Sequence, residues 1–168
     1  MDFAVIAAPI VGIIALLFAF YKASSIDKVS PGSDRMKEIA SFIEEGAMAF
    51  LRREYRALSI FVIALFIVLI IAINWQTAVS FLLGAIFSIF AGYFGMKVAT
   101  KANVRTANAA KEKGMNSALN VAFSGGAVMG MSVVGLGIIG VSVLYILFED
   151  PSIITGFGLG ASSIALFA

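Results

Sequence analysis

The chain has no cysteine and no histidine among its 168 residues. The first absence removes disulfides, thiolate nucleophiles and thiolate metal sites. The second removes the commonest general base and the commonest transition-metal ligand. Charge is also scarce: 13% of residues are Asp, Glu, Lys or Arg, against 61% hydrophobic. A soluble domain carries about 25% charged residues. A chain of this size cannot hide so much apolar surface in a core of its own, so lipid is the expected solvent for most of it. A soluble binding module is therefore excluded. Chemistry in such a chain is left to carboxylates, Lys, Arg, hydroxyls and backbone.

What charge there is falls in islands. All 12 Lys and Arg residues lie within Lys22–Arg56 and Lys97–Lys113, and outside these stretches only Asp2, Glu149 and Asp150 are charged. A charge in hydrocarbon costs several kcal/mol, so membrane proteins confine charge to their loops. Basic loops stay in the cytoplasm. Loops of alternating character then set the topology: N-terminus outside, cytoplasmic segments at 22–56 and 97–116, and transmembrane spans at about 3–21, 57–73, 78–96, 121–148 and 152–168. The net charge of +2 is explained by this topology, and no aromatic-interleaved basic stripe points to nucleic acid.

The first apolar run, Phe3–Tyr21, matches the length of roughly 20 residues needed to cross a bilayer. Its flank holds Asp2 and no basic residue, and no small-x-small site follows Tyr21, so a retained helix is expected rather than a cleaved signal. Lys22–Asp34 is polar and contains Pro31-Gly32-Ser33-Asp34, which reads as a loop ending in a helix cap at Ser33 or Asp34. Between Arg35 and Arg56 the apolar residues Met36, Ile39, Ile43, Ala47, Phe50 and Leu51 recur at helical spacing. No proline separates this amphipathic stretch from the apolar run Ala57–Ile73. One long helix is expected, half outside the membrane and half within it.

Asn74-Trp75-Gln76-Thr77 reads as a tight uncharged turn, with the Trp75 ring suited to the headgroup layer. Lys97 can snorkel from the end of the third span. The island Lys97–Asn116 is expected to be helical near each membrane edge. The fourth span lies within Ser117–Phe148, longer than a bilayer needs, so it must tilt or project. Glu149-Asp150-Pro151 reads as an acidic turn. The apolar stretch Ser152–Ala168 ends without a polar flank, and on that ground a fragment is expected.

Three further groups invite a functional reading. Gly126 and Gly130, with Ser124, Ser132 and Gly137 nearby, form a small-xxx-small pair expected to let helices pack closely in lipid. Gly156–Gly160 with Ala161-Ser162-Ser163 forms a second small-residue face. It lacks the preceding strand and following Lys-Ser or Lys-Thr of a nucleotide loop, so Ser162 and Ser163 are expected to bond backbone carbonyls or a neighbouring helix. Glu44, Glu45, Arg52, Arg53, Glu54 and Arg56 resemble a charge cluster, but are expected to be a solvated helix face with local ion pairs. None of the carboxylates between Asp27 and Glu54 has metal-loop spacing. No ionisable residue stands inside a span, so these helices alone carry no proton relay. No catalytic, cofactor-binding or metal residue is assigned.

Four ordered blocks carry a resemblance: Gly46–Tyr55, Gly92–Ala107, Ala122–Gly130 with its Gly-rich continuation, and Gly156–Ala168. Together they resemble the membrane-integral pyrophosphatases, the pyrophosphate-energised proton or sodium pumps. The resemblance implies an all-α integral membrane protein of roughly sixteen helices packed in lipid, with four complete spans and a truncated fifth in this chain. It implies a homodimer in the cell membrane that couples diphosphate hydrolysis to H⁺ or Na⁺ transport, with Mg²⁺ and, in some members, K⁺ or Na⁺ as cofactors. It places the first four helices in an outer ring and the fifth in an inner ring, with the Mg²⁺-binding acidic motifs after the last block. The chain itself is then expected to be inactive. The alternative is a complete small multi-pass protein, a transporter half or assembly subunit, that oligomerises through its Gly-rich faces.

Overall fold

The computed structural model describes residues 3–167, with side chains from Val5 to Leu166. Asp2 and Ala168, which bear on the signal-peptide and fragment expectations, lie outside the described residues. Five helices follow one another: α1 Phe3–Asp27, α2 Asp34–Ala72, α3 Trp75–Lys113, α4 Met115–Phe148 and α5 Pro151–Phe167. The first four are long and apolar enough to cross a membrane. At 1.5 Å per residue, the 39-residue α2 and α3 are each about 58 Å long, nearly twice a hydrocarbon core of about 30 Å. Each is therefore longer than one crossing needs.

The helix ends depart from expectation in three places. Helix α1 runs on to Asp27, so the loop is 28–33, shorter than the Lys22–Asp34 expected. The second basic island is one continuous helix to Lys113 and not two edge segments, because its Ala-rich composition contains no breaker before Gly114. Gly114 alone joins α3 to α4, at φ +82°, a left-handed conformation that glycine adopts without a steric cost. Trp75 is not in a turn. Asn74 caps α3 by accepting from the Thr77 amide at 2.7 Å, so Trp75–Thr77 form its first turn. The side chain of Ser33, not Asp34, caps α2 through the Met36 amide at 3.4 Å. At the last turn, the Ser152 amide donates to Asp150 at 2.8 Å. Hydrogen bonding from Ser152, its side chain first and its amide second, holds the Asp150 carboxyl below the usual carboxylate range.

Helix α3 is the hub. It packs against α4, α5 and α2, whereas α1 packs mainly on α4 and has no close backbone approach to α2 among the described residues. The pairings show the directions. A Cβ on Gly12 would meet Ile139, and one on Gly135 would meet Leu16, so α1 and α4 are antiparallel. Gly95 faces Met129 and Gly125 faces Ala102, so α4 and α3 are antiparallel too. Successive helices therefore alternate in direction, and the loops fall at two ends. At one end, Trp75 and Phe148 meet edge-on with ring centroids 6.0 Å apart, bringing the two turns without basic residues together. At the other end, Lys101 of α3 reaches Asp27 of α1 at 3.1 Å. Both basic islands lie at this end, as the charge pattern requires.

Hydroxyls inside the helices mostly bond back to their own backbone. Ser132 donates to the Val128 carbonyl at 2.7 Å and Ser142 to Ile138 at 2.6 Å, which satisfies a polar group where no water is at hand. Because the Asn74 side chain satisfies an otherwise orphaned amide, Asn74→Ala should destabilise the protein by about 1 kcal/mol. Detergent-titration unfolding midpoints would measure this, and Asn74→Asp should recover most of the loss.

Candidate functional site

Helix α5 lies parallel along α3, and the two backbones touch. A Cβ on Gly156 would sit 2.5 Å from the Thr77 carbonyl oxygen. One turn on, a Cβ on Gly160 would collide with the Phe81 carbonyl and lie 2.9 Å from the Ala85 amide. From the opposite side, Gly84 faces the Phe157 carbonyl and the Ala161 amide, which is 3.0 Å from its would-be Cβ. Glycines on both helices remove the side chains that would hold the axes apart, the small-residue packing that lipid favours. Phe157 fills the space beyond: its ring lies against Gly140 of α4 and meets Phe87 of α3 edge-on at 6.0 Å. Phe81 and Ile164 are fully buried in the core shared with Leu58, Val62 and Leu69 of α2. Ser80, equally buried, has no hydrogen-bond partner for its Oγ among the described residues.

Helix phase separates working glycines from idle ones. Gly156 and Gly160 pack as the small-residue face predicts, whereas Gly158 faces open space. On α4 the expected pair does not pack. Cβ atoms on Gly126 and Gly130 would meet nothing within 4 Å, and both residues are exposed. The packed face of α4 is instead Val121, Gly125, Val128, Ser132 and Gly135. That three-and-four spacing starts one residue away from the small-xxx-small pair, so the pair points outward. Ser163 bonds the Leu159 carbonyl at 2.7 Å, as expected of a helix serine.

A polar latch joins the loop before α2 to α3 at the basic end. The Arg105 guanidinium donates from Nε to the Val29 carbonyl at 3.1 Å and lies 3.8 Å from Asp27. It thus places a cation at the C-terminus of α1, where the helix dipole is negative and α1 has no basic residue of its own in the last turn. Asn108, almost fully buried, donates to the Ser30 carbonyl at 3.3 Å. Gly32 takes φ +85°, and a Cβ there would strike both the Asn108 side chain and Met36 Sδ at 2.7 Å. The sequence reading missed Arg105 and Asn108. Both stand in a basic island that topology already explained, and only the fold brings them to the loop.

The charge cluster on α2 stays dispersed. Arg52, Arg53, Arg56 and Glu45 are exposed, and among the described residues none of the six forms the expected ion pairs. No three acids of the described residues lie close enough to hold a metal. Between α3, α4 and α5 runs an apolar groove of about 470 Å³, lined by residues such as Phe87, Met96, Met129, Leu136 and Ala165 and by no ionisable side chain.

Comparison with known proteins gives the family. The family described as inorganic H⁺ pyrophosphatase matches residues 13–168. The chain belongs to that family. A relative from Clostridium tetani, named a putative K⁺-stimulated pyrophosphate-energized sodium pump, is 59% identical over 100% of this chain and 25% of its own length. A K⁺-insensitive pyrophosphate-energized proton pump from Methanosarcina mazei is 46% identical over 100% of the chain and 25% of its own length. A K⁺-stimulated sodium pump from Thermotoga maritima is 39% identical over 94% of the chain, again 25% of the relative. The chain thus spans about a quarter of the length of these pyrophosphatase relatives. With the family established, the four long apolar helices are those of a multi-pass membrane protein.

Two substitutions test the geometry. Gly160→Val forces a branched side chain into backbone that cannot retreat and should destabilise by about 3 kcal/mol, the upper part of the overpacking range; Gly158→Val should be near neutral in the same unfolding assay. At the latch, Arg105→Gln should speed protease cleavage within 28–33 severalfold, while Lys111→Gln leaves it unchanged.

Proposed function

We propose that this chain is the N-terminal quarter of an ion-translocating inorganic pyrophosphatase, and that its helices form the scaffold on which the fifth helix stands. The supporting observation is the match of the chain along its whole length to pyrophosphate-energised pumps. The seam between α3 and α5 supplies the physical role. Two backbones in contact through glycine have no side chains to yield, and packed interfaces of this kind are not continuously deformable. Helix α5 is therefore held in fixed register against α3, while α1, α2 and α4 brace α3 from its other sides.

The topology in this reading has the N-terminus outside, spans near 3–21, 57–73, 78–96, 121–148 and 152–168, and the projecting parts 22–56 and 97–116 in the cytoplasm. The grouping of both basic islands at one end supports it. The whole protein would be a homodimer that hydrolyses pyrophosphate and moves H⁺ or Na⁺. Mg²⁺, when bound, would neutralise the diphosphate. The described residues bring no three acids together and do not fit such a site, so no step of hydrolysis is routed through them. Sodium and proton pumps, K⁺-stimulated and K⁺-insensitive, match over the same stretch. In this reading, the choice of ion and the response to K⁺ are made outside it.

The experiment is phosphate release with ion uptake in sealed membrane vesicles. A polypeptide of the relatives' length containing this chain should release phosphate from pyrophosphate in the presence of Mg²⁺ and load the vesicles with H⁺ or Na⁺. The 168-residue chain alone should do neither. Hydrolysis by the short chain, or a folded long form without it, would refute the proposal.

A further inference from the structure

Six of the twelve cations have an acidic or aromatic partner among the described residues. Arg35 pairs with Glu38 and Lys37 with Asp34. Lys101 and Arg105 share Asp27. Lys22 stands over Phe18 at 5.7 Å and Lys97 over Tyr93 at 6.0 Å. Of the other six, Arg52, Arg53 and Arg56 stand together beside the apolar half of α2. All three are exposed, and none pairs with an acid among the described residues. At about 100° per residue, they fall within one arc of α2. Glu54 lies on the far side of that arc, and Glu45 is two turns away. Arg52 and Arg56 are stacked one turn apart, an arrangement of like charges that is unfavourable without an anion.

The same arc continues into the apolar half of α2. Ile60, Ile63, Ile67 and Ile71 lie on it, 71%, 60%, 50% and 80% exposed. The opposite arc carries the buried Leu51, Leu58, Val62 and Leu69 that pack into the protein. One outward stripe therefore reads, from the basic end inward, as three free guanidinium groups followed by a row of isoleucines about 16 Å long. A phospholipid has the same order of parts: an anionic phosphate at the interface, then hydrocarbon directed into the membrane. Guanidinium binds phosphate oxygens in pairs, and basic residues next to a membrane span attract acidic lipid.

We propose that Arg52, Arg53 and Arg56, aligned with Ile60, Ile63, Ile67 and Ile71, form a binding surface for an acidic phospholipid of the leaflet at the basic end. The inference rests on α2 crossing the membrane and is independent of pyrophosphate chemistry. The test is lipid retention by the protein extracted from membranes of phosphatidylcholine doped with about one-fifth phosphatidylglycerol. Phosphatidylglycerol bound per protein should fall severalfold in Arg52→Gln/Arg53→Gln/Arg56→Gln. It should hold at the wild-type level in Lys111→Gln/Lys113→Gln, which removes two exposed charges of the same island end but far from the span. Equal retention in the arginine variant overturns the proposal. So does equal loss in the lysine variant, which marks a mere net-charge effect. Should the triple variant misfold, a photo-crosslinker placed at Ile63 of the otherwise native protein decides the matter: phospholipid adducts support the surface, and polypeptide adducts alone sink it.

Discussion

Hydrocarbon does not accept an unpaired charge, and the whole arrangement follows from that constraint. It forces Lys22–Arg56 and Lys97–Lys113 out of the membrane. Because the intervening helices alternate in direction, both islands arrive at one end, where Asp27, Lys101 and Arg105 can meet. The opposite end receives the turns without basic residues, and there Trp75 and Phe148 touch. Inside the membrane the same constraint leaves nothing but apolar side chains, hydroxyls and backbone to make contacts. The serines turn to their own carbonyls, and helices are joined by close approach in place of polar pairs.

Close approach then takes a form specific to this molecule. Lipid tails are as apolar as leucine, so burial gives little drive for one helix to choose another. Shape decides instead. Gly84, Gly156 and Gly160 let α3 and α5 meet backbone to backbone, and Phe157 inserts where Gly140 leaves room. The seam commits α5 to one register along α3. At the polar end, Arg105, Asn108 and Gly32 do the corresponding work for the linker between α1 and α2, two helices with no close backbone approach to each other among the described residues.

The outer surface of α2 shows that exposure carries information as well. Its inward arc of Leu51, Leu58, Val62 and Leu69 belongs to the protein core, and its outward arc is exposed. Arginines and isoleucines follow one another on that outer arc in the order in which a bilayer presents phosphate and hydrocarbon. The chain spans about a quarter of the relatives' length.

Much of this was legible in the residues. The spacing of Met36, Ile39, Ile43 and Leu51, with no proline before Ile73, specifies one long α2. Ser33 announces its start. Local chemistry settles such features: period and cap need no distant partner. The glycines were read less well. Gly156 and Gly160 packed as expected, but Gly126 and Gly130 face outward, and Gly125 next door packs in their place. A small residue permits contact without requiring it, and a rotation of about 100° per residue decides which glycine meets a neighbour. That rotation is set by the partner helices, so only the tertiary structure could choose. Arg105 and Asn108 were hidden for the same reason: they lie more than 70 residues from the carbonyls they bind, and no local pattern records a contact made by folding.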